Sequence, residues 1–496
     1  MIAPHLPALI VVVPLVAGLV ALFLGRGHLP WLLTLLVTWA VFALSATLLG
    51  RVLVAGAPPV EYAMGSWPAP WGIVYRVDAV NAFVLTIVSG IAAVCAVFAR
   101  LSVAAEIPAE RWRFFYSAWL LCLTGLLGIT ITGDAFNLYV LLEIASLSTY
   151  TLVALGVQKD RRALTAAFRY LILGTVGATF LLLGIGHLYM KTGTLNMVDL
   201  ADRLAGLQSD RVVLTAFALI VTGLGLKVAL FPLHMWLPNA YTYAPSVVTA
   251  FLAATATKVG AYMTFRFLFT VFGLRVTFDF LSADVFLIGF SCLAILVASV
   301  LAIRQNNIKR LLAYSSVAQI GYIMLGLGLH NHASVTGAVV HVFNHAVMKG
   351  GLFLALGAVV YRLGGATIGE LRGLGRRMPL TAAAIVVGGM GLVGVPATAG
   401  FISKWYLVAG CLHGDAWPLA VVILVGSILA LLYVWRVVEA LYFAVPENPS
   451  LPVREAPLAL LVPTWVLIGA SLYFGLHATF TVATAKAAAV ALGVGE

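Results

Sequence analysis

The sequence predicts an all-α polytopic membrane protein with about fourteen transmembrane helices. Hydrophobic residues make up 62% of the chain and charged residues 9%, with a mean hydropathy of +1.06, a composition foreign to a water-soluble domain. Apolar runs of about 20 residues or more recur from end to end, each long enough to cross a hydrocarbon core of about 30 Å. Inside those runs stand five ionisable residues, Glu143, Lys227, Lys258, Lys349 and Lys404.

The runs are 4–25, 30–54, 78–102, 113–132, 134–156, 162–190, 212–238, 244–272, 283–304, 309–329, 332–361, 379–412, 418–444 and 456–490. The first lacks a basic leading segment and is too long for a signal sequence, so it reads as a retained helix. The fifth starts at Asp134 and is closed off from the sixth by Lys159-Asp-Arg-Arg162. The seventh contains Gly223-Leu-Gly-Leu-Lys-Val-Ala-Leu-Phe-Pro232, and the twelfth Gly389-Met-Gly-Leu-Val-Gly-Val-Pro396. Proline removes a backbone donor and breaks a helix, leaving carbonyls that need other partners. In both cases the next run opens with proline, Pro245 or Pro418, and ends near an arginine, Arg266 or Arg436. The longest polar intervals, 190–211 and 362–378, read as loops.

This likeness has an odd offset of five helices, which inverts the second unit relative to the first. The sequence therefore predicts one transmembrane domain over 1–496 containing two inverted five-helix repeats, 113–272 (helices 4–8) and 283–444 (helices 9–13), each with a broken helix. Lys and Arg are in excess in the loops after odd-numbered runs. The positive-inside rule makes those loops cytoplasmic and places both termini on the non-cytoplasmic side of a cell (inner) membrane. The net charge of +11 is then topological. It gives no sign of nucleic-acid binding, because it is split among short loops. Cys95, Cys122, Cys292 and Cys411 lie within or at the ends of apolar runs without a CxxC or Cys/His cluster, which argues against iron–sulfur and structural zinc sites.

Five unpaired central charges cost on the order of 12–17 kcal/mol at roughly 2.5–3.5 kcal/mol each, against a usual net stability of about 5–15 kcal/mol. They must face one another or internal water, and a buried row of ionisable groups points to an ion or proton path. Glu143 lies nine residues beyond Asp134, about 13 Å deep at 1.5 Å per residue. Lys227 precedes the Pro232 break, Lys258 lies mid-helix, and Lys404 follows Pro396. The competing reading is a structural ion pair for Glu143 and a snorkelling side chain for Lys404, while Lys258 lies too deep to snorkel easily. His341, His345 and Lys349 follow at i, i+4 and i+8, stacked on one helix face. A zinc pair is the rival there, disfavoured by the lysine and by the lack of a carboxylate on that helix, and a hydrogen-bonded core pair is the other alternative. His234, just past Pro232, reads as a path member or a cap for freed backbone groups. His330 and His332 read as solvated loop histidines, and Lys309, with Arg304 and Arg310, as a marker of the cytoplasmic face.

Five segments carry a resemblance. Gly133-Asp-Ala-Phe-Asn-Leu-Tyr-Val-Leu-Leu-Glu143, Phe231-Pro-Leu-His-Met-Trp-Leu-Pro238, Ile308-Lys-Arg-Leu-Leu-Ala-Tyr-Ser-Ser316, His341-Val-Phe-Asn-His-Ala-Val-Met-Lys-Gly350 and Gly400-Phe-Ile-Ser-Lys404 resemble the antiporter-like membrane subunits. These are the proton-translocating subunits of respiratory complex I, of membrane-bound hydrogenases and of Mrp-type multisubunit cation/proton antiporters. The chain looks most similar to the D-type Mrp component, through Tyr243-Ala-Pro-Ser-Val-Val-Thr249 and Thr257-Lys-Val-Gly260. The resemblance implies fourteen helices, an ion pair of Glu143 with Lys227, a bridging Lys258, a relay at His345 and a terminal charge at Lys404. Lysine at the last position favours the D- or N-type branch, and the chain stops too soon after its last run for the L-type. Asn239 stands where many complex I relatives have aspartate, which puts an acidic contribution there in doubt.

The expected mechanism is a switch: Lys227 holds its proton when paired with Glu143 and releases it when the pair separates, passing it towards Lys258, the His341, His345 and Lys349 region, and Lys404. The leading expectation is a proton-translocating subunit of an Mrp-type sodium/proton or other monovalent cation/proton antiporter, partnered by other membrane subunits. The alternative is a proton-pumping subunit of an NADH:quinone oxidoreductase or membrane-bound hydrogenase. A third, an integral-membrane enzyme acting through His341 and His345, lacks a nucleophile–base–acid constellation. No redox or hydrolytic centre, cofactor motif or metal site is recognisable in the chain. The oxygen ligands that hard cations want are scarce in the row, so sodium is assigned to a partner.

Overall fold

The computed structural model describes residues 3–25, 27–54, 56–446 and 453–495. Helices α1 (Leu6–Phe23) and α2 (Leu29–Val52) each carry proline in the first turn, where the missing N–H would be unpaired anyway. A short antiparallel hairpin follows, β1 (Val60–Ala63) and β2 (Val74–Val77), with Val60 opposite Val77. Nothing in the apolar run pattern announced it. Asp78 then caps α3 (Ala79–Glu106) in a reciprocal capping box with Asn81.

α4 (Trp112–Ile131) leads to α5 (Ala135–Ala154), capped by Asp134, and α6 (Arg162–Thr192) stops at Gly193 with φ of 69°. The interval expected to be a loop holds α7 (Met197–Leu204), an amphipathic helix capped by Asn196 and burying Met197, Leu200 and Leu204. The seventh run breaks as its proline requires: α8 (Arg211–Val228) ends at Ala229, and the chain resumes as α9 (Leu237–Tyr243). α10 (Ser246–Phe265) runs on into two wider turns, Arg266–Val271 and Arg275–Phe280.

α11 (Ala283–Ile303), α12 (Ile308–Gly328) and the long α13 (His332–Leu363) come next. A one-turn α14 (Leu374–Arg377) sits in the second polar interval, also expected as loop. The twelfth run is broken into α15 (Pro379–Val393) and α16 (Ala399–His413) around Gly394, whose φ is 85°. α17 (Trp417–Tyr442) is followed by α18 (Leu458–Leu476) and α19 (Thr479–Ala491). The fourteenth run, expected as one helix, is thus two. The 19 residues of α18 already span about 28 Å at 1.5 Å per residue.

Thirteen helices among the described residues are long and apolar enough to cross a membrane, and the broken α15–α16 run completes the expected set. The most apolar windows of α10 and α12 are each 94% buried, against 28% for α17. An apolar helix buried all round belongs at the centre of a bundle. α13 packs against α10, α12, α16 and α18, so α10, α12 and α13 form the centre of the bundle, and the perimeter is left to residues such as Leu36, Phe168 and Leu424.

Two histidine readings change, and Lys309 gains a partner. Lys309 is buried and donates to the Ala244 carbonyl at 3.0 Å. His330 is half-buried and stacks on Phe278 at 4.3 Å. His332 is half-buried, with Nδ1 3.1 Å from the Val494 carbonyl oxygen. None is a solvated surface group, because the helix ends they occupy are overlaid by other segments.

Candidate functional site

Asp134 fixes the depth of Glu143 by accepting the Asn137 N–H at 2.7 Å, which sets the start of α5. Glu143 is half-buried. One turn further on, Ser146 accepts a 2.7 Å hydrogen bond from Lys227 Nζ. The expected ion pair is not closed: no Glu143–Lys227 contact occurs among the ion pairs of the described residues, and the serine holds the ammonium instead.

Lys227 lies in the last turn of α8, a favourable place for a cation because the helix dipole ends there in free carbonyls. One of these, Leu226 O, is capped by the Trp236 indole at 2.8 Å. That indole stacks on Tyr170 at 4.0 Å. His234, expected as a possible cap, is buried against Phe231 with both ring nitrogens lacking a protein partner. The capping role falls to the tryptophan two residues later in the same motif.

Lys258 on α10 is fully buried, and its Nζ turns back to the Ala253 carbonyl. On α13, His341, His345 and Lys349 are also fully buried, as their spacing required. The two imidazole rings lie 5.9 Å apart, 21° from parallel. Two unit charges at that separation repel by about 3 kcal/mol at an effective dielectric of about 20, so the pair favours carrying at most one proton charge at a time. His341 Nδ1 lies 2.8 Å from Ser403 Oγ, while both nitrogens of His345 lack a protein partner. Lys349 turns away to α12, donating to the Leu312 carbonyl at 2.8 Å and to Ser315 Oγ.

Lys404 completes the set. Its Nζ donates to Leu392 O at 3.0 Å, Val393 O at 2.9 Å and Ser427 Oγ at 2.9 Å, and sits 4.9 Å from the Tyr322 ring centroid. At this break the lysine itself caps the freed carbonyls of α15. α13, which carries His341, His345 and Lys349, packs against both α10, with Lys258, and α16, with Lys404, so the structure groups these five on three adjoining helices. Glu143 and Lys227 form a separate limb, joined where Gly260 of α10 meets the Val228 backbone at the end of α8.

Ser146, Ser315, Tyr322, Ser403 and Ser427 were missed from sequence. The signal available was a polar stripe in an apolar helix, since Ser315, Gln319 and Tyr322 recur at helical spacing on α12.

Residues 132–430 match the family described as NADH:quinone oxidoreductase/Mrp antiporter, TM. The chain belongs to this family. It is 43% identical to NADH-quinone oxidoreductase subunit N of Desulforudis audaxviator, over 93% of this chain and 94% of that protein. It is 27% identical to the D-type component of the Na(+)/H(+) antiporter of Bacillus subtilis, over 94% of this chain and 92% of that one. Among solved structures it resembles a chain of the Mrp complex from Dietzia sp., with a TM-score of 0.90, 27% identity and coverage of 99% and 98%. The matched span of this multi-pass membrane family contains Glu143, Lys227, His234, Lys258, His341, His345, Lys349 and Lys404, so no part of the buried row lies outside it.

Proposed function

We propose that the protein is a proton-translocating membrane subunit of a multisubunit complex, moving protons along the Glu143, Lys227, Lys258, His341, His345, Lys349 and Lys404 row. The supporting observation is the grouping of Lys258, His345, Lys349, His341 and Lys404, fully or nearly buried and met by hydroxyls and carbonyls rather than by carboxylates. Such groups exchange protons at little structural cost, since no ion pair has to be broken. Glu143 and Lys227 supply the switch, with Ser146 holding the lysine in the separated state. The likeness of the two proline breaks supports the two inverted units, 113–272 and 283–444, that would place two half-paths back to back. The charge bias of the loops supports a cytoplasmic face at Lys159 and Arg304 in a cell membrane. The terminal residues 1, 2 and 496 lie outside the described residues.

The driving partner has two readings. The 43% identity to a quinone oxidoreductase N subunit favours a redox-driven complex. The Mrp-type antiporter expected from the motifs is supported by the 0.90 TM-score to a chain of that complex, with sodium or another cation handled by a partner. Gentle purification from native membranes separates them: iron–sulfur or quinone-binding subunits co-purify in the first case, and only small membrane subunits in the second. Lys227→Ala in the assembled complex tests the path itself. Loss of proton movement with retained assembly is expected, and undiminished transport would refute the row.

A further inference from the structure

α10 has a polar cavity at each end. At its first turn, Glu106 accepts the Ser246 N–H at 3.1 Å beside a cavity of about 220 Å³ reached by Lys309. At its last turn, a cavity of about 190 Å³ is bordered by Asp78, Asn81, Tyr262, Arg266 and Thr270. Lys258, Tyr262 and Arg266 lie at i, i+4 and i+8 on this helix, one stripe running from mid-membrane to the second cavity.

The second cluster is closed and fully bonded. Arg266 is buried, and its guanidinium pairs with Asp78 and with Asn81 Oδ1. Its Nε donates to the Tyr262 hydroxyl oxygen at 3.1 Å, and Asn81 Nδ2 donates to the same oxygen at 2.7 Å. That oxygen accepts twice, which leaves the phenol's own O–H to point elsewhere. Lys258 is meanwhile bound one turn back, at Ala253. Among the described residues no hydrogen bond links it to Tyr262.

We propose that the Asp78–Arg266 pair is a gate on this face of the membrane, and that Tyr262 is the link between the gate and Lys258. The proposal rests on the proton-translocation reading. When Lys258 swings by about one turn, roughly 5 Å, and the Asn81 amide lets go of the Tyr262 oxygen to free a lone pair, the ammonium gives one proton through water to that oxygen and becomes a neutral amine. The phenol passes on its own proton, and the Asp78 carboxylate takes it up. A neutral Asp78 no longer holds Arg266, which keeps its own protons throughout. Asp78 then releases the proton to the cavity, regains its charge and recloses the pair.

The test uses the intact complex in liposomes, with proton movement followed by an internal pH dye. Asp78→Asn keeps an N-cap acceptor for α3 but removes the charge. With Arg266 unpinned, cavity water reaches Tyr262 and takes its proton in place of the carboxylate, so protons are expected to leak down an imposed gradient on the order of tenfold faster than wild type, the factor that loss of a charged hydrogen bond implies. Tyr262→Phe is expected to slow driven transport with no leak, and the double variant not to leak. A tight Asp78→Asn, or a double variant leaking as fast as the single, overturns the gate. If Asp78→Asn fails to assemble, wild-type transport by Tyr262→Phe overturns the link on its own. Lys227→Ala is run beside them: normal transport there refutes the proton row, whereas loss there with a normal Tyr262→Phe refutes the gate alone.

Discussion

Lys404 and Ser427 stand 2.9 Å apart across two helices, and the same ammonium holds the open end of α15 through the carbonyls of Leu392 and Val393. A residue in the candidate path is therefore also the cap of a broken helix. Lys404→Met should cost stability as well as transport, about 1–3 kcal/mol for carbonyls left without a partner. Thermal unfolding of the purified complex reads the first effect and a liposome assay the second. A variant inactive but as stable as wild type would show that the capping bonds carry no weight.

Ser146→Ala leaves Lys227 and Glu143 in place and removes the hydroxyl that now separates them. With the 2.7 Å bond gone, the ammonium should move to the carboxylate and the paired state should be favoured by about 1 kcal/mol, the net value of an ordinary hydrogen bond. Turnover should fall about fivefold while assembly is unaffected. An unchanged rate would mean that the serine contact does not define a step. Glu143→Gln is the complementary change, and it should slow exchange without disturbing assembly because the amide still fits the half-buried site.

His345→Phe keeps the bulk of the ring and the core around it but removes both nitrogens. Transport should be abolished, with a melting temperature at or above that of wild type, because two buried polar atoms without protein partners are replaced by apolar ones. Retained transport would move the relay to His341 and its Ser403 contact.

Gly400→Ala should destabilise the second break. A Cβ at Gly400 meets the Gly391 carbonyl oxygen, with Met348 close behind, so backbone would have to shift and overpacking of this kind costs about 1–3 kcal/mol. Lower yield and a lower melting temperature are expected. Gly186→Ala, where a Cβ meets nothing, should be neutral or slightly stabilising, since alanine is the better helix former, and serves as the control.

Outside the membrane, the Arg162 guanidinium bonds Asp160 at 2.6 Å and holds its carboxyl below the usual carboxylate range. A lowered carboxylate contributes stability above its unfolded value, about 3.9, and loses it as pH falls further through the folded one. Between pH 8 and pH 5 the melting temperature should therefore show no change attributable to this pair, and Asp160→Asn should be silent at pH 7, as exposed ion pairs usually are. A clear loss of stability in Asp160→Asn at neutral pH would show that the loop between α5 and α6 depends on it.

The spans and both breaks could be read from the sequence because the bilayer imposes a length and proline imposes a stop, and both are local. The row was legible for the same reason: Lys258 or His345 in hydrocarbon is conspicuous by itself. What each charge touches was not. Ser146, Ser315 and Ser427 look like ordinary small residues of apolar helices, where a hydroxyl is satisfied by the carbonyl four residues back, and Ser146 does bond Leu142 O at 2.7 Å. Their second role depends on which helix lies opposite, and only packing decides that. The hairpin at Val60–Val77 and the amphipathic α7 were overlooked because four-residue strands and an eight-residue helix leave too little periodicity among polar neighbours.

α13 is a single unbroken helix of 32 residues, about 48 Å from end to end at 1.5 Å per residue. His341, His345 and Lys349 are fixed to it like teeth on a shaft. A tilt or slide that loosens His341 from Ser403 must at once alter the hold of Lys349 on Leu312, on the far side of the histidine pair. On the proposed reading, rigid linkage synchronises the proton handovers at those sites, and a push delivered to either end of the shaft sets the timing for all three.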